Sequence, residues 1–309
     1  MGYTRMKSIG IDLGGTRIKA VAIDENGNVL AENYQPTNDG DSSVWKSAVA
    51  TAVTQLKGMI KEEEVAIGLS APGLPNENNS GIAFMPGRMQ GLENFSWSQF
   101  LGQSTFVLND AVAAMMGEAK FGAAKNKKNV VMLTLGTGVG GAILIDGRPY
   151  QGRFNKAGHI GHMVIDHEGD LDVTGMPGSL EDCIGNCTID KRSSGKFTST
   201  QDLLTAYASG DAFAREVWLK SVRQLALGLA SVVNIISPEM IVLGGGIAQA
   251  DDHLFLPLRD YMNTYEWQPG GNKTEIVKAV FGDLAGAIGA ASFAMNLPGC
   301  QGVTQKIHL

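Results

Sequence analysis

Cysteine is scarce, at three in 309 residues. Three thiols cannot build a disulfide framework, so a reducing, cytoplasmic setting is expected. The chain has no run of basic residues, and its formal net charge is −6. That balance argues against nucleic acid as the main partner. No stretch reads as long and apolar enough to span a bilayer, so no membrane partner is expected. Residues 1–7 lead into the first apolar strand without a signal-peptide core. Low-complexity segments and long linkers are missing too. What is present is an ordinary apolar fraction, 44 %, in a chain long enough for two domains.

Glycine is abundant, and its placement is informative. MKSIGIDLGGTRIKAVAIDENG is echoed downstream by NVVMLTLGTGVGGAILIDGRP. Each copy reads as apolar strand, glycine turn, apolar strand ending in Ile-Asp, and a second turn. The first turn holds Asp12, Gly14, Gly15 and Thr16. The second holds Gly136, Thr137 and Gly138. Glycine lets backbone N–H groups approach an anion with no Cβ in the way. Two such turns in a duplicated chain suit the grip of one polyphosphate. GTGVGG also fits the dinucleotide fingerprint by letters, but that fingerprint must open a helix. Here the run Ala142-Ile143-Leu144-Ile145 follows, which reads as a strand.

The remaining pattern alternates strands and helices. Strands are expected over 7–12, 17–23 and 28–33, with a hairpin turn at Asn26-Gly27. A helix is expected over 44–59 with Val44, Ala48, Ala52, Leu56 and Met59 inward. The strand over 65–69 ends in a loop containing Gly73, at the strand end where open α/β sheets place ligands. A strand over 105–108 meets a helix over 111–121. The second half offers an irregular segment over 167–186 and a long helix over 213–236 stopped by Ser237-Pro238. A strand over 240–243 enters Gly244, Gly245 and Gly246, and a closing helix spans 284–295.

Asn109 and Asp110 sit where a strand meets a helix. An aspartate there has a plain explanation as a helix N-cap. Its alternative is general base: a carboxylate that accepts a hydroxyl proton while the oxygen attacks a γ-phosphate. Asp12 is the other key carboxylate, suited to Mg²⁺ directly or through water.

DLGGTRIKAVAID, LNDAVAAMMGEAKFG, LTLGTGVGGAIL, AGHIGHMVID and IVLGGGIA together resemble the ROK (repressor, open reading frame, kinase) family of sugar kinases and repressors. The resemblance covers essentially the whole chain. It implies an α/β, two-domain actin-like ATPase (ribonuclease H-like) fold, with nucleotide and sugar in the interdomain cleft. It implies domains over 1–113 and 114–289, with a C-terminal helix over about 290–309 packing back on the first. The implied activity is ATP- and Mg²⁺-dependent phosphorylation of a hexose or hexose derivative. Asp110 would be the base and Asn109 a sugar ligand. The 14–16 and 136–138 turns would hold phosphates, and the 244–246 turn would lie near the adenosine. His162 and Glu181 match sugar-site positions, Gly73 joins them, and a homodimer is expected.

The departures matter as much. The family commonly builds a structural zinc site from three cysteines and a histidine. Asp172, Thr174 and Ser179 replace those cysteines here, and one histidine cannot make a four-ligand site. Zinc is therefore expected to be absent; Cys183 and Cys187 lie just beyond, displaced from the family positions, and are read as ordinary thiols rather than a C-x₃-C ligand pair. His159 replaces a sugar-binding glutamate, an acceptor-only group exchanged for a ring that can donate. Arg88 falls where many relatives carry a sugar-contacting asparagine. Both changes point away from unmodified glucose. A repressor would need a helix-turn-helix region before the first strand, and residues 1–6 leave no room for one. A non-catalytic sugar-binding relative is the remaining alternative.

Overall fold

The computed structural model describes residues 6–296. In chain order, the first elements are β1 (Lys7–Leu13), β2 (Arg17–Asp24), β3 (Val29–Pro36), α1 (Ser42–Ile60), β4 (Ala66–Ala71), β5 (Leu74–Pro75) and β6 (Ile82–Phe84). Then come α2 (Trp97–Leu101), β7 (Thr105–Asn109), α3 (Asp110–Phe121), β8 (Val130–Leu135), β9 (Val139–Ile145) and β10 (Arg148–Pro149). The remainder is α4 (Leu180–Ile184), α5 (Ile189–Arg192), α6 (Thr200–Ala208), α7 (Ala212–Ile236), β11 (Met240–Gly244), α8 (Asp252–Tyr265), β12 (Glu275–Lys278) and α9 (Ala285–Met295).

These elements form two compact units. The first takes Met1–Asn126, Gln151–Ala157 and Val280–Leu309; the second takes Lys127–Tyr150 and Gly158–Ala279. The boundary expected after residue 113 falls inside α3, which stays whole with the first unit. The reason is packing: α3 lies against α9, and a Cβ on Gly289 would come within 1.6 Å of the Ala113 carbonyl oxygen. α9 belongs to the first unit; residues 297–309 of the helix expected over about 290–309 lie outside the described residues.

The first unit is built on a five-stranded sheet of order β3-β2-β1-β4-β7. β1, β2 and β3 are antiparallel neighbours, while β1, β4 and β7 run parallel. α1 covers one face with Trp45, Val49, Ala52, Val53, Leu56 and Ile60 buried. The expected inward positions Val44 and Met59 are exposed instead, 42 % and 58 %. The buried set starts at Trp45, one residue on, because that indole fills the core where Val44 was expected to point. The other face takes α9, whose small residues allow backbone-to-backbone approach. A Cβ on Gly10 would lie 1.8 Å from the Ala287 oxygen, and one on Gly68 1.9 Å from the Ala290 oxygen. Glu118, fully buried on α3, accepts hydrogen bonds from the N–H groups of Ala123, Val280 and Phe281 at 2.8, 2.8 and 2.9 Å. One carboxylate thus pins both segments near which the chain leaves and re-enters this unit.

The second unit repeats the plan. Its sheet has the order β10-β9-β8-β11-β12, with the same antiparallel and parallel relations. β12 and α8 were not legible beforehand: β12 is a four-residue strand with charged ends, and α8 contains Pro257. A proline inside a helix leaves the carbonyl four residues back without its partner. Here that carbonyl, on His253, accepts the Trp218 indole N–H at 2.8 Å. The segment over 167–186 is irregular only up to Ser179, which caps α4 through Asp182 N–H at 3.3 Å. α7 corrects one expectation. It is long and apolar enough by length and composition to cross a membrane, yet half of that window is buried in the unit's own core. Trp218, Val222, Leu225 and Leu229 are fully buried there.

Candidate active site

In the first unit the chemistry-bearing residues lie at the carboxyl ends of the three parallel strands. Register pairs Asp12 on β1 with Ser70 on β4, and Ser70 in turn with Leu108 on β7. Asn109 and Asp110 follow directly. Ser70 Oγ donates to Asp12 Oδ1 at 2.8 Å, and Lys19 Nζ stands 3.7 Å from Oδ2. The Asp12 side chain is 19 % exposed. Poor hydration raises its pKa above the ordinary carboxylate value, opposed by Ser70 and Lys19.

Asn109, not Asp110, is the N-cap of α3. Its Oδ1 accepts from Ala111 N–H at 3.0 Å and Val112 N–H at 3.4 Å. Its Nδ2 donates to the Gly73 carbonyl at 3.1 Å. Asp110 is thereby released from capping; its Oδ1 accepts the Ala111 N–H at 2.8 Å, and the Asn109 side chain also donates toward its carboxylate. Crowded, poorly hydrated surroundings push its carboxyl up to about 6, the Ala111 hydrogen bond acting downward and the Asp12 charge upward. The side chain is nonetheless solvent-exposed.

The first glycine turn joins β1 to β2. It is held by a residue with no sequence signal, the buried Thr37. Its Oγ1 donates to the Gly14 carbonyl at 2.5 Å and its N–H to the Thr16 carbonyl at 3.1 Å. The N–H of Gly15 has no acceptor among the described residues. Arg88 reaches this turn: its guanidinium occupies the place of a Gly15 Cβ, with Nη2 1.9 Å from that position.

In the second unit the 136–138 turn joins β8 to β9. Gly136 N–H donates to the Gly138 carbonyl at 2.9 Å. Asn186 and Cys187 N–H groups bind the Gly136 and Thr137 carbonyls at 2.9 and 2.8 Å. Glu181 Oε2 accepts the Val139 N–H at 2.8 Å and lies 2.1 Å from where a Gly138 Cβ would be. Gly138 is therefore required first by Glu181, whereas a Cβ on Gly136 would meet open space. The third glycine turn is beside the second. Gly245 has φ +84°, and its Cβ would lie 2.3 Å from the carbonyl oxygen of Leu135, the residue before Gly136. Gly246 opens to solvent.

His159 and His162 sit on a turn seated against β9; a Cβ on Gly161 would lie 1.9 Å from the Val139 oxygen. Their rings are nearly parallel, 15° apart, with centroids at 6.4 Å. His162 Nδ1 is 2.9 Å from Asp172 Oδ2. Asp172 also accepts from Thr174 N–H and Oγ1, both at 2.7 Å, and Met176 N–H at 3.0 Å. These donors outweigh burial and hold the carboxyl well below its ordinary range. An ionised Asp172 only accepts, so His162 Nδ1 is the donor of this pair. Cys183 lies buried in α4, its thiol pushed up to about 11 by desolvation; Cys187 is exposed, three residues past α4.

The structure thus gathers Asp12, Gly14, Gly15, Thr16, Gly73, Arg88, Asn109 and Asp110 in one unit. It gathers the 136–138 and 244–246 turns, His159, His162 and Glu181 in the other. Thr37, Ser70 and Asp172 carry supporting roles that sequence reading did not assign.

Comparison with known proteins agrees with this geometry. The sequence model of the ROK family matches residues 8–296. The glucokinase of Streptomyces coelicolor is 32 % identical, over 95 % of this chain and 98 % of its own length. A ROK hexokinase from Thermus thermophilus superposes with a TM-score of 0.82 at 29 % identity, covering 93 % of this chain and 97 % of that one. A ROK family glucokinase from Streptomyces griseus, solved with glucose and AMPPNP, gives 0.77 at 25 % identity, covering 93 % and 98 %. The two matching sheets are those of the actin-like ATPase fold, and the chain belongs to the ROK family.

Proposed function

We propose that this protein is an ATP-dependent sugar kinase that phosphorylates a hydroxyl of a hexose or hexose derivative. The observation that carries this reading is Asp110. It stands at the carboxyl end of β7, relieved of helix capping by Asn109, with its carboxyl raised toward neutrality. A base serves best when its pKa approaches the working pH. The sugar hydroxyl gives its proton to Asp110 as its oxygen attacks the γ-phosphorus. A new O–P bond forms, the bond to the β-phosphate oxygen breaks, and ADP leaves with that electron pair.

On the first unit, the free Gly15 N–H suits a phosphate oxygen, and Asn109, which donates toward Asp110, is placed to orient that base beside the sugar. On the second, the 136–138 turn is assigned to phosphate and the 244–246 turn to the adenosine side. His162, oriented by Asp172, is assigned to the sugar together with His159 and Glu181. Asp12 fits Mg²⁺: it is a poorly hydrated carboxylate with one hydroxyl and one distant ammonium as partners, and magnesium uses few carboxylates. The ion would supply neutralisation of phosphate charge.

Because His159 stands where a carboxylate binds glucose hydroxyls in relatives, a hexose with altered stereochemistry or substituent is the preferred acceptor. A cytoplasmic homodimer completes the reading. The test is ATP consumption across glucose, mannose, fructose, allose and their amino and N-acetyl forms. Turnover with one or a few sugars is expected; no turnover with any of them overturns the kinase reading in favour of a sugar-binding relative.

A further inference from the structure

The 86–91 loop is an ordered platform. Met89 is buried at 2 % exposure and adopts φ +49°, a left-handed conformation costly for a non-glycine residue. Leu92, fully buried, donates its N–H to the Met89 carbonyl at 3.0 Å. On the other side, Met85 N–H donates to Glu93 Oε1 at 2.6 Å. Between these anchors Arg88 is exposed and extends to Gly15, where its guanidinium carbon is 3.2 Å from the position a Cβ would take. Among the described residues Arg88 has no hydrogen bond, ion pair or ring contact. Asp12, three residues from Gly15, is engaged by Ser70 and Lys19 instead.

A surface arginine without a partner is common. One laid on a glycine turn whose Gly15 N–H lacks an acceptor is not. A guanidinium is always charged, presents five donors in a planar fork, and matches phosphate oxygens in pairs. The guanidinium thus lies against the same glycine whose N–H lacks an acceptor, a set of donors that suits a tetrahedral anion better than a sugar ring.

Resting on the kinase reading, we propose that Arg88 is a catalytic residue that contacts the transferred phosphoryl group of the nucleotide at the 14–16 turn, rather than the sugar. Phosphoryl transfer depends mainly on positioning and on stabilising charge spread over the equatorial oxygens. An arginine supplied from the same chain does both, and donates little to a diphosphate that lacks the transferred group.

The test uses the full chain with Arg88→Ala and Arg88→Lys beside wild type. Wild-type turnover on the sugar panel checks the kinase reading by itself. Given that turnover, Arg88→Ala is expected to lower kcat by ~10²-fold, as for loss of one transition-state donor. It should weaken AMPPNP binding roughly tenfold, about the loss of one charge-assisted contact, while changing ADP affinity and sugar KM less than about twofold. Arg88→Lys should recover part of kcat, since charge returns without the fork. Two results overturn the proposal: a raised sugar KM with kcat and AMPPNP affinity unchanged, or no change in any of these quantities.

Discussion

The two glycine turns arise at the same point of two sheets with the same strand order, yet they are secured differently. The first is held by side-chain and main-chain bonds from Thr37 and is bordered by charged groups, Asp12, Lys19 and Arg88. The second is tied through its carbonyls to the segment after α4 and is backed by Glu181. Duplication therefore accounts for the backbone path, and the segments inserted around it account for the chemistry. In the first unit the long connection between β4 and β7 delivers Gly73 and Arg88. In the second, residues 158–188 deliver the histidines and Glu181.

The largest expected effect separates the units by chemistry. Asp110→Asn should lower kcat by ~10²–10⁴-fold with the fold intact, the usual loss for a general base. In wild type, kcat/KM should rise with pH through about 6 and then level, because only the ionised carboxylate accepts a proton. Linkage has the opposite sign for stability. A carboxyl raised in the folded state contributes stability below its unfolded pKa and loses it as pH rises through the folded value. Asp110→Asn should then raise Tm at pH 7.5 more than at pH 4.5. Wild-type turnover in the variant, or a flat pH profile between 5 and 7, would remove Asp110 from the mechanism.

A second comparison sits inside the second turn. Gly136→Val adds its side chain to open space, so weakened AMPPNP binding with an unchanged Tm is expected, roughly tenfold or more by calorimetry. Gly138→Val must displace Glu181, so it should lower Tm as well as affinity. Unchanged AMPPNP affinity in a folded Gly136→Val variant would show that the turn does not face phosphate.

Specificity should change less than catalysis. His159→Glu restores an acceptor-only group and should move kcat/KM toward glucose relative to the N-acetyl and amino sugars. An unchanged ranking, or glucose leading in wild type, would defeat that assignment.

The smallest effect concerns the loop around Asp172. Asp172→Ala leaves His162, Thr174 and Met176 donors without their acceptor and should cost about 1–3 kcal/mol, read as a lower Tm. The Asp172 pKa is depressed in the folded state, so its contribution is present above the ordinary carboxylate value and fades as pH falls below it. Purified protein should carry no stoichiometric zinc, and chelators should leave Tm unchanged. One zinc per chain by elemental analysis would contradict this.

Some of this was legible in the residues. The strand–turn–strand duplication, the three glycine turns and the Asn109-Asp110 pair at a strand end follow from local chemistry, because period-two apolar runs and glycine placement act over a few residues. The helix α9 was legible as apolar and small, and the family resemblance set it against the first domain; which face of the sheet it covers was not legible. Other features depended on contacts across long sequence separations, such as Thr37 to Gly14 or Trp218 to His253. The choice of α1 face was set by Trp45, and the unit boundary by α3 packing on α9. Sequence alone nominated the groups proposed to bind phosphate and accept a proton. Tertiary structure decided which of them are free to do so: Asn109 takes the cap, Glu181 takes the Val139 N–H, and Arg88 settles on Gly15. Those assignments turn on competition for hydrogen-bond partners, and that competition exists only once distant segments are packed together.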